Sequence, residues 1–360
     1  VYIRKIQISD VRGFREVDLD LTRPDGSFAG WTVLAGRNGS GKSTLLKAVA
    51  LAVVGREAAR ALQPSFAGWL RTGSNAAEVA VRLAASGRTK LRWERTGDQR
   101  EPLLIFVPPF DPLQSFDLPI GETWAARFMA LLGDREVAPH LQGFLAAYGP
   151  YRRLSGHAVD AQRLMEGPEP IARVVSLFRE DSSLVESVGW LREVYLLRLE
   201  DKPGAADLER MVLDLLNDGL LPDGVRVDTV DSDGLWVFQN DVRLPLRELS
   251  DGYRTIAALV MDIVRHLHKA FGELQIEHAE DQEGAFWRVL HDGVVLIDEI
   301  DLHLHISWQK RVGFWLKRHF PNIQFLVTTH SPFICQAADP RGLIRLPAPG
   351  EDRPVAHVTD

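Results

Sequence analysis

Cysteine is nearly absent. Cys335 is the one thiol in 360 residues, so no internal disulfide is available and a reducing, cytoplasmic setting is expected. Long apolar runs are missing too. No stretch reaches the roughly 18 residues that a membrane-spanning helix needs, which predicts no membrane partner. Residues 1–6 lack the apolar core of a signal peptide. No segment sustains heptads, which excludes a coiled-coil arm, and neither an internal repeat nor a low-complexity tract occurs. Positive charge is in deficit, with a net charge of −7, which argues against a generally basic nucleic-acid coat. The deficit is uneven. Residues 1–100 hold 17 Lys and Arg against 9 Asp and Glu, a balance of +8, so −15 falls on the remainder. Part of the early excess is expected to face a ligand; the rest is a solvated surface or a nucleic-acid footprint. The remaining composition, 45% hydrophobic and 25% charged, is that of a globular chain with one large or two smaller cores.

What is present centres on residues 36–44, Gly36-Arg37-Asn38-Gly39-Ser40-Gly41-Lys42-Ser43-Thr44, which fit the phosphate-loop pattern G-x-x-x-x-G-K-[ST]. The apolar run at 31–35 reads as a buried strand entering the loop, and 45–51 as a helix leaving it. Glycines let the backbone turn tightly so that its N–H groups converge on a phosphate, and the helix N-terminus adds a positive dipole end. Lys42 is expected to reach the β and γ phosphates of ATP, and the Ser43 hydroxyl to ligate magnesium. A second apolar strand, 294–297, ends in Asp298-Glu299. Asp298 is expected to hold magnesium and Glu299 to orient and deprotonate the attacking water. A third, 325–329, ends in His330, placed to contact the γ-phosphate or, structurally, to cap the next helix.

Elsewhere the patterns are coarser. Ile3, Ile6 and Ile8, then Val17, Leu19 and Leu21, read as two strands around Arg12-Gly13-Phe14. Gly13 needs only to be a turn residue there; alternatively Arg12 and Lys5 approach the nucleotide. Residues 79–83 and 89–95 read as a hairpin, and Pro102, Pro108, Pro109, Pro112 and Pro119 as an irregular crossover. Helices are predicted at 124–132, 171–178, 184–199 and 206–216, a strand at 144–148, and a second hairpin at 225–238. The acidic, polar stretch 273–283 is expected as an exposed loop, either merely solvated or a partner site. His291, His303, His305 and His330 do not make a convincing zinc set without a cysteine partner.

With these residues in view, Leu249-Ser250-Asp251-Gly252-Tyr253-Arg254 resembles the signature motif of ABC-type ATPases in its divergent L-S-x-G-x-R form. Residues 298–305 resemble Walker B running into the D-loop, and Thr329-His330-Ser331 the switch-histidine segment. Order and spacing resemble the SMC/RecF-like and OLD-like branch, particularly stand-alone bacterial ATPases like those of defence operons. The resemblance covers 1–55 and 225–346; within 56–224 the one suggestive motif is Tyr148-Gly149-Pro150-Tyr151-Arg152. Gln114, Gln142 and Gln162 compete for the Q-loop position.

The resemblance implies an α/β fold, an ABC-type head with a mixed sheet, N-terminal antiparallel strands and an inserted, largely helical lobe. The expected division is 1–55 and 225–360 for the ATPase lobe and 56–224 for the insertion. It also implies a homodimer sandwiching two ATPs, in which Ser250 and Gly252 meet the γ-phosphate held by the other subunit and Asp301 couples the two sites. The expected function is an ATP-hydrolysing switch or motor of a DNA-related or anti-phage system, working with an effector protein encoded separately; nucleic acid stays open as a partner. The alternatives are a scaffold that gates a partner without touching DNA, and a transporter subunit. Only 30 residues follow His330, without an acidic metal constellation, so no nuclease activity is expected of this chain alone.

Overall fold

The computed structural model describes residues 2–358 apart from 85–86, 95–102, 108–142, 153–163, 166, 181–184, 223, 283, 349–350 and 352–353. The helix expected at 124–132, the proline-marked crossover and the three candidate glutamines lie outside the described residues.

Ile3–Val11 (β1) and Phe14–Asp20 (β2) pair antiparallel around the Arg-Gly-Phe turn, with Ile6 opposite Leu19 and Ile8 opposite Val17. These four side chains point to one face because strand side chains alternate, and all are buried. Gly30–Ala35 (β3) enters the phosphate loop and the helix Lys42–Val54 leaves it. The expected hairpin then forms from Ala76–Leu83 (β4) and Gly87–Glu94 (β5), followed by Leu103–Val107 (β6). β4 pairs with β1, giving a first sheet in the order β2-β1-β4-β5-β6.

Phe144–Tyr148 (β7) precedes a helical stretch. The helix expected over 171–178 breaks into Glu169–Ala172 and Val175–Phe178, while Val185–Leu199 and Ala205–Asn217 run as predicted. Arg226–Asp231 (β8), Gly234–Gln239 (β9) and Val242–Pro245 (β10) make a three-stranded sheet. Asn240 and Asp241, both at positive φ, form its second turn, as two-residue hairpin loops require. The helix Asp251–Phe271 follows the signature residues.

The stretch 273–283 departs from expectation. Instead of an exposed loop it supplies Ile276–Asp281 (β11), paired residue for residue with Gly284–Val289 (β12). The acidic strand is held by its partner: Phe286 and Val289 are buried, and the Trp287 ring meets His278 edge-on at 4.9 Å. Gly293–Ile297 (β13), Ile323–Thr329 (β14), Leu343–Arg345 (β15) and Ala356–His357 (β16) complete the set.

The second large sheet runs β16-β15-β3-β14-β13-β7 and is parallel except for β16. Buried on both faces, its central strands read as continuous apolar runs. Leu34, Leu296 and Leu326 point toward the phosphate-loop helix and the antiparallel sheet. Val33, Val295, Ile297, Phe325 and Val327 point the other way, into the core containing the helix Asp251–Phe271. Each fully buried Leu or Phe contributes about 1.5–3 kcal/mol. The two sheets are also tied by one side chain: the buried Gln324 amide bonds both the N–H and the carbonyl of Ile3, at 2.7 and 2.8 Å. Residues 56–224 are shared out between these sheets, β4–β6 on the first and β7 on the second, with helices packed beside them. No helix among the described residues is long and apolar enough to cross a membrane.

Candidate active site

β3, β13 and β14 are adjacent and parallel, so the phosphate loop, Asp298-Glu299 and His330 emerge together at one sheet edge. Ligands of open parallel sheets bind at such strand ends. Gly39 and Gly41 sit at φ +78° and +89°, the left-handed region that lets the loop fold back. Gly41 has a second reason to be glycine: a Cβ there would lie 2.5 Å from the Phe14 ring. The Arg-Gly-Phe turn therefore abuts the loop. Arg12 stacks over the Trp69 indole at 4.5 Å, and its Nη1 donates to the Thr44 hydroxyl at 3.4 Å. Lys5 instead pairs with Asp18 at 2.8 Å.

The Lys42 ammonium donates to the carbonyls of Gly36 (2.9 Å) and Arg37 (3.2 Å) and lies 2.9 Å from His330 Nε2. A lysine only donates, so His330 accepts through Nε2 and is neutral with its proton on Nδ1. Burial pulls the Lys42 pKa downward, opposed by Glu299, Asp298 and Asp301. The Ser40 hydroxyl is buried with no hydrogen-bond partner among the described residues. An open cleft of about 580 Å³ continues from Gly36 and Arg37 past His330 to Arg345 and Glu351.

Threonines at the end of β14 hold the acids. Thr328 Oγ1 donates to Asp298 Oδ1 at 2.6 Å and accepts the Glu299 N–H at 2.7 Å. Thr329 Oγ1 donates to Asp301 Oδ1 at 2.5 Å. Asp298 is 1% exposed, whereas Glu299 sits at φ +45°, an unusual conformation for a side-chain-bearing residue. Arg152 donates to the backbone carbonyls of this turn. Thr328, Thr329, Phe14 and Arg152 join the site without having been predicted there; their local signals are the Thr-Thr pair before His330, the Arg12-Gly13-Phe14 turn and the motif ending in Arg152.

The signature residues are placed apart from this cluster in their contacts. Ser250 is the N-cap of the helix Asp251–Phe271, but its side chain makes no capping bond. Arg254 pairs with Asp251 and donates to the Arg247 carbonyl at 3.1 Å. A Cβ on Gly252 would lie 2.6 Å from the His303 carbonyl, so the glycine is demanded by the segment that follows the acids in the same chain.

The fold and these motifs define a P-loop ATPase head. Comparison with known proteins agrees. Residues 177–336 match the AAA_21 family, an AAA domain whose description refers to the AbiEii toxin and type IV TA systems, and residues 5–112 match the AAA_23 AAA domain. The chain is 28% identical over 332 residues to Septu protein PtuA of Bacillus mycoides (strain KBAB4), covering 92% of this chain and 38% of that protein. It is 43% identical over 109 residues to the "Retron Ec83 probable ATPase" of Escherichia coli, covering 30% of this chain and 18% of that protein. It thus spans well under half the length of these relatives. A solved SMC head bound to the C-terminal winged-helix domain of ScpA shares the fold, with a TM-score of 0.53 and 16% identity over 99% of this chain and 98% of that one. The chain is thus similar to AAA-type ATPase domains over these two stretches and to the ATPases named above, and it shares the fold of an SMC head.

Proposed function

We propose that the protein binds ATP with magnesium at the β3–β13–β14 edge, hydrolyses it, and uses the cycle to join and release two copies of itself. The observation that carries this reading is the meeting of Lys42, Asp298, Glu299 and His330 at one sheet edge. The residues suit the ligand. Lys42 is held by loop carbonyls and a neutral histidine, contacts that a phosphate would replace, and the Ser40 hydroxyl is buried without a partner among the described residues. Gly36, Arg37, Asn38, Gly39, Ser40 and Gly41 would surround the phosphates, with Thr44 and Arg12 beside them. Ser43 and Asp298 would hold magnesium, whose charge offsets that of the phosphates. Glu299 takes the proton of the attacking water, and His330 keeps the γ-phosphate end oriented. Ser250 and Gly252 complete the partner's site, with Asp301 next to the junction. The relatives named for Septu and retron systems support a role as the ATPase of an anti-phage defence system with a separate effector.

Glu299→Gln keeps shape and hydrogen bonding but removes the base. Turnover should fall at least about 100-fold with ATP affinity retained, and ATP should hold the variant as a dimer in light scattering. A Glu299→Gln protein that hydrolyses ATP at the wild-type rate overturns the assignment.

A further inference from the structure

β7 runs beside β13, with Tyr148 opposite Ile297 and the Tyr148 carbonyl accepting the Asp298 N–H at 2.8 Å. The chain leaving β7 therefore emerges next to the two acids. Arg152 occupies that place. It is 2% exposed, and each of its four side-chain hydrogen bonds among the described residues goes to a main-chain carbonyl. Nη1 donates to Gly149 and Asp298, both at 2.7 Å; Nη2 donates to Glu299 at 3.0 Å and Ile300 at 3.4 Å.

Three features make this more than packing. Three of the four carbonyls belong to consecutive residues, 298–300, whose middle member is Glu299 at φ +45°. Burying a cation is costly, and a guanidinium bonds two carbonyls through a planar fork that an ammonium cannot copy. The base of the arginine is also fixed: a Cβ on Gly149 would lie 2.2 Å from the Ser176 carbonyl, and the Ser176 hydroxyl bonds the Ala147 carbonyl at 3.0 Å. Burial pulls the Arg152 pKa down to about 10, so the group still carries its charge at neutral pH.

We infer that Arg152 is a positioning residue for hydrolysis, holding the 298–300 turn in the one conformation that aims the Glu299 carboxylate at water. The inference rests on the assignment of Glu299 as base. Arg152 itself touches neither nucleotide nor water in this scheme; it acts through the backbone of Glu299.

The test uses the full chain as wild type, Arg152→Lys, Glu299→Gln and the double variant. Steady-state ATP hydrolysis, equilibrium binding of a fluorescent ATP analogue and amide hydrogen exchange are measured on each. Arg152→Lys should lower kcat by about 100-fold while KM and analogue affinity stay within about twofold. Exchange should speed up at the amides of Ile300 and Leu302 and stay unchanged in the helix Lys42–Val54. The double variant should be no slower than Glu299→Gln alone, because both changes remove the same step. Wild-type kcat in Arg152→Lys overturns the inference, as does a parallel loss of kcat and affinity, which marks a merely structural role. If Arg152→Lys does not fold, Arg152→Gln is read by the same criteria. Failure of the underlying reading looks different: Glu299→Gln would then hydrolyse ATP at the wild-type rate, and the inference falls with it.

Discussion

Lys42 and Ser250 carry the same expectation, contact with a γ-phosphate, yet their surroundings differ. Lys42 is buried and held by two loop carbonyls and His330, which arrives from another strand. The acids opposite are fastened by Thr328, Thr329 and Arg152. Ser250 is exposed and its side chain makes no capping bond, while Arg254 and Gly252 turn to neighbours on their own side. One half of the site is preorganised within the chain. In the proposed dimer the other half would be this outward-facing helix N-terminus, whose free N–H groups suit an anion. That is the arrangement expected when phosphate binding belongs to one copy and completion of the site to a second.

The largest expected effect tests the finished half. Lys42→Ala should weaken nucleotide affinity by about 100-fold or more in isothermal titration, since it removes the charge the loop is built around. Affinity within threefold of wild type would show that the loop binds without it. Ser250→Arg should do the opposite, leaving nucleotide affinity nearly intact while blocking turnover. Mixing Ser250→Arg with Lys42→Ala protein restores one complete composite site per heterodimer, so about a quarter of the wild-type rate should return if subunits exchange freely. No recovery in proven heterodimers would place Ser250 outside the partner's site.

The smallest effect compares two buried histidines whose shifts run in opposite directions. His319, on the helix leading to β14, has its pKa driven down to about 4 from its ordinary 6.5; burial dominates, and Arg318 and Arg288 outweigh nearby Asp281. Its neutral form therefore supplies stability above pH 6.5 that is lost as pH falls through about 4, at most about 3 kcal/mol. His266, on the signature helix, is shifted upward: burial opposes its charge, but Asp262, 3.3 Å away, and Glu169 prevail. Its contribution is complete below pH 6.5 and is lost as pH rises through its folded value. In urea titrations, His319→Gln should flatten the acid limb and His266→Gln the alkaline limb. Identical slopes in wild type and both variants would remove these two residues as the source.

Legibility followed sequence distance. The phosphate loop, the acids after β13 and the histidine after β14 are each contiguous motifs, so spacing alone announced them. The two N-terminal strands and the hairpins were legible because alternation and turn residues are local. The tract 273–283 is largely exposed, as its acidity suggested, but it is a strand rather than a loop because it pairs with the strand that carries Phe286 and Trp287. Arg152 was visible only as part of a suggestive motif, because its partners lie some 146–148 residues away and are backbone carbonyls, which carry no sequence signature.

From the sequence alone came the chemistry: a nucleotide loop, two acids and a histidine on separate apolar strands, and a signature segment, because each needs a short run of particular residue types. The tertiary structure alone decided which of them meet. Strand order sets β3, β14, β13 and β7 side by side, which brings Lys42 to His330 and Arg152 to Glu299. It also shows that Gly252 is required by the His303 carbonyl of its own chain. Strand order and close approach are properties of packed surfaces, set by the sum of many distant contacts, and no local pattern of residues encodes them.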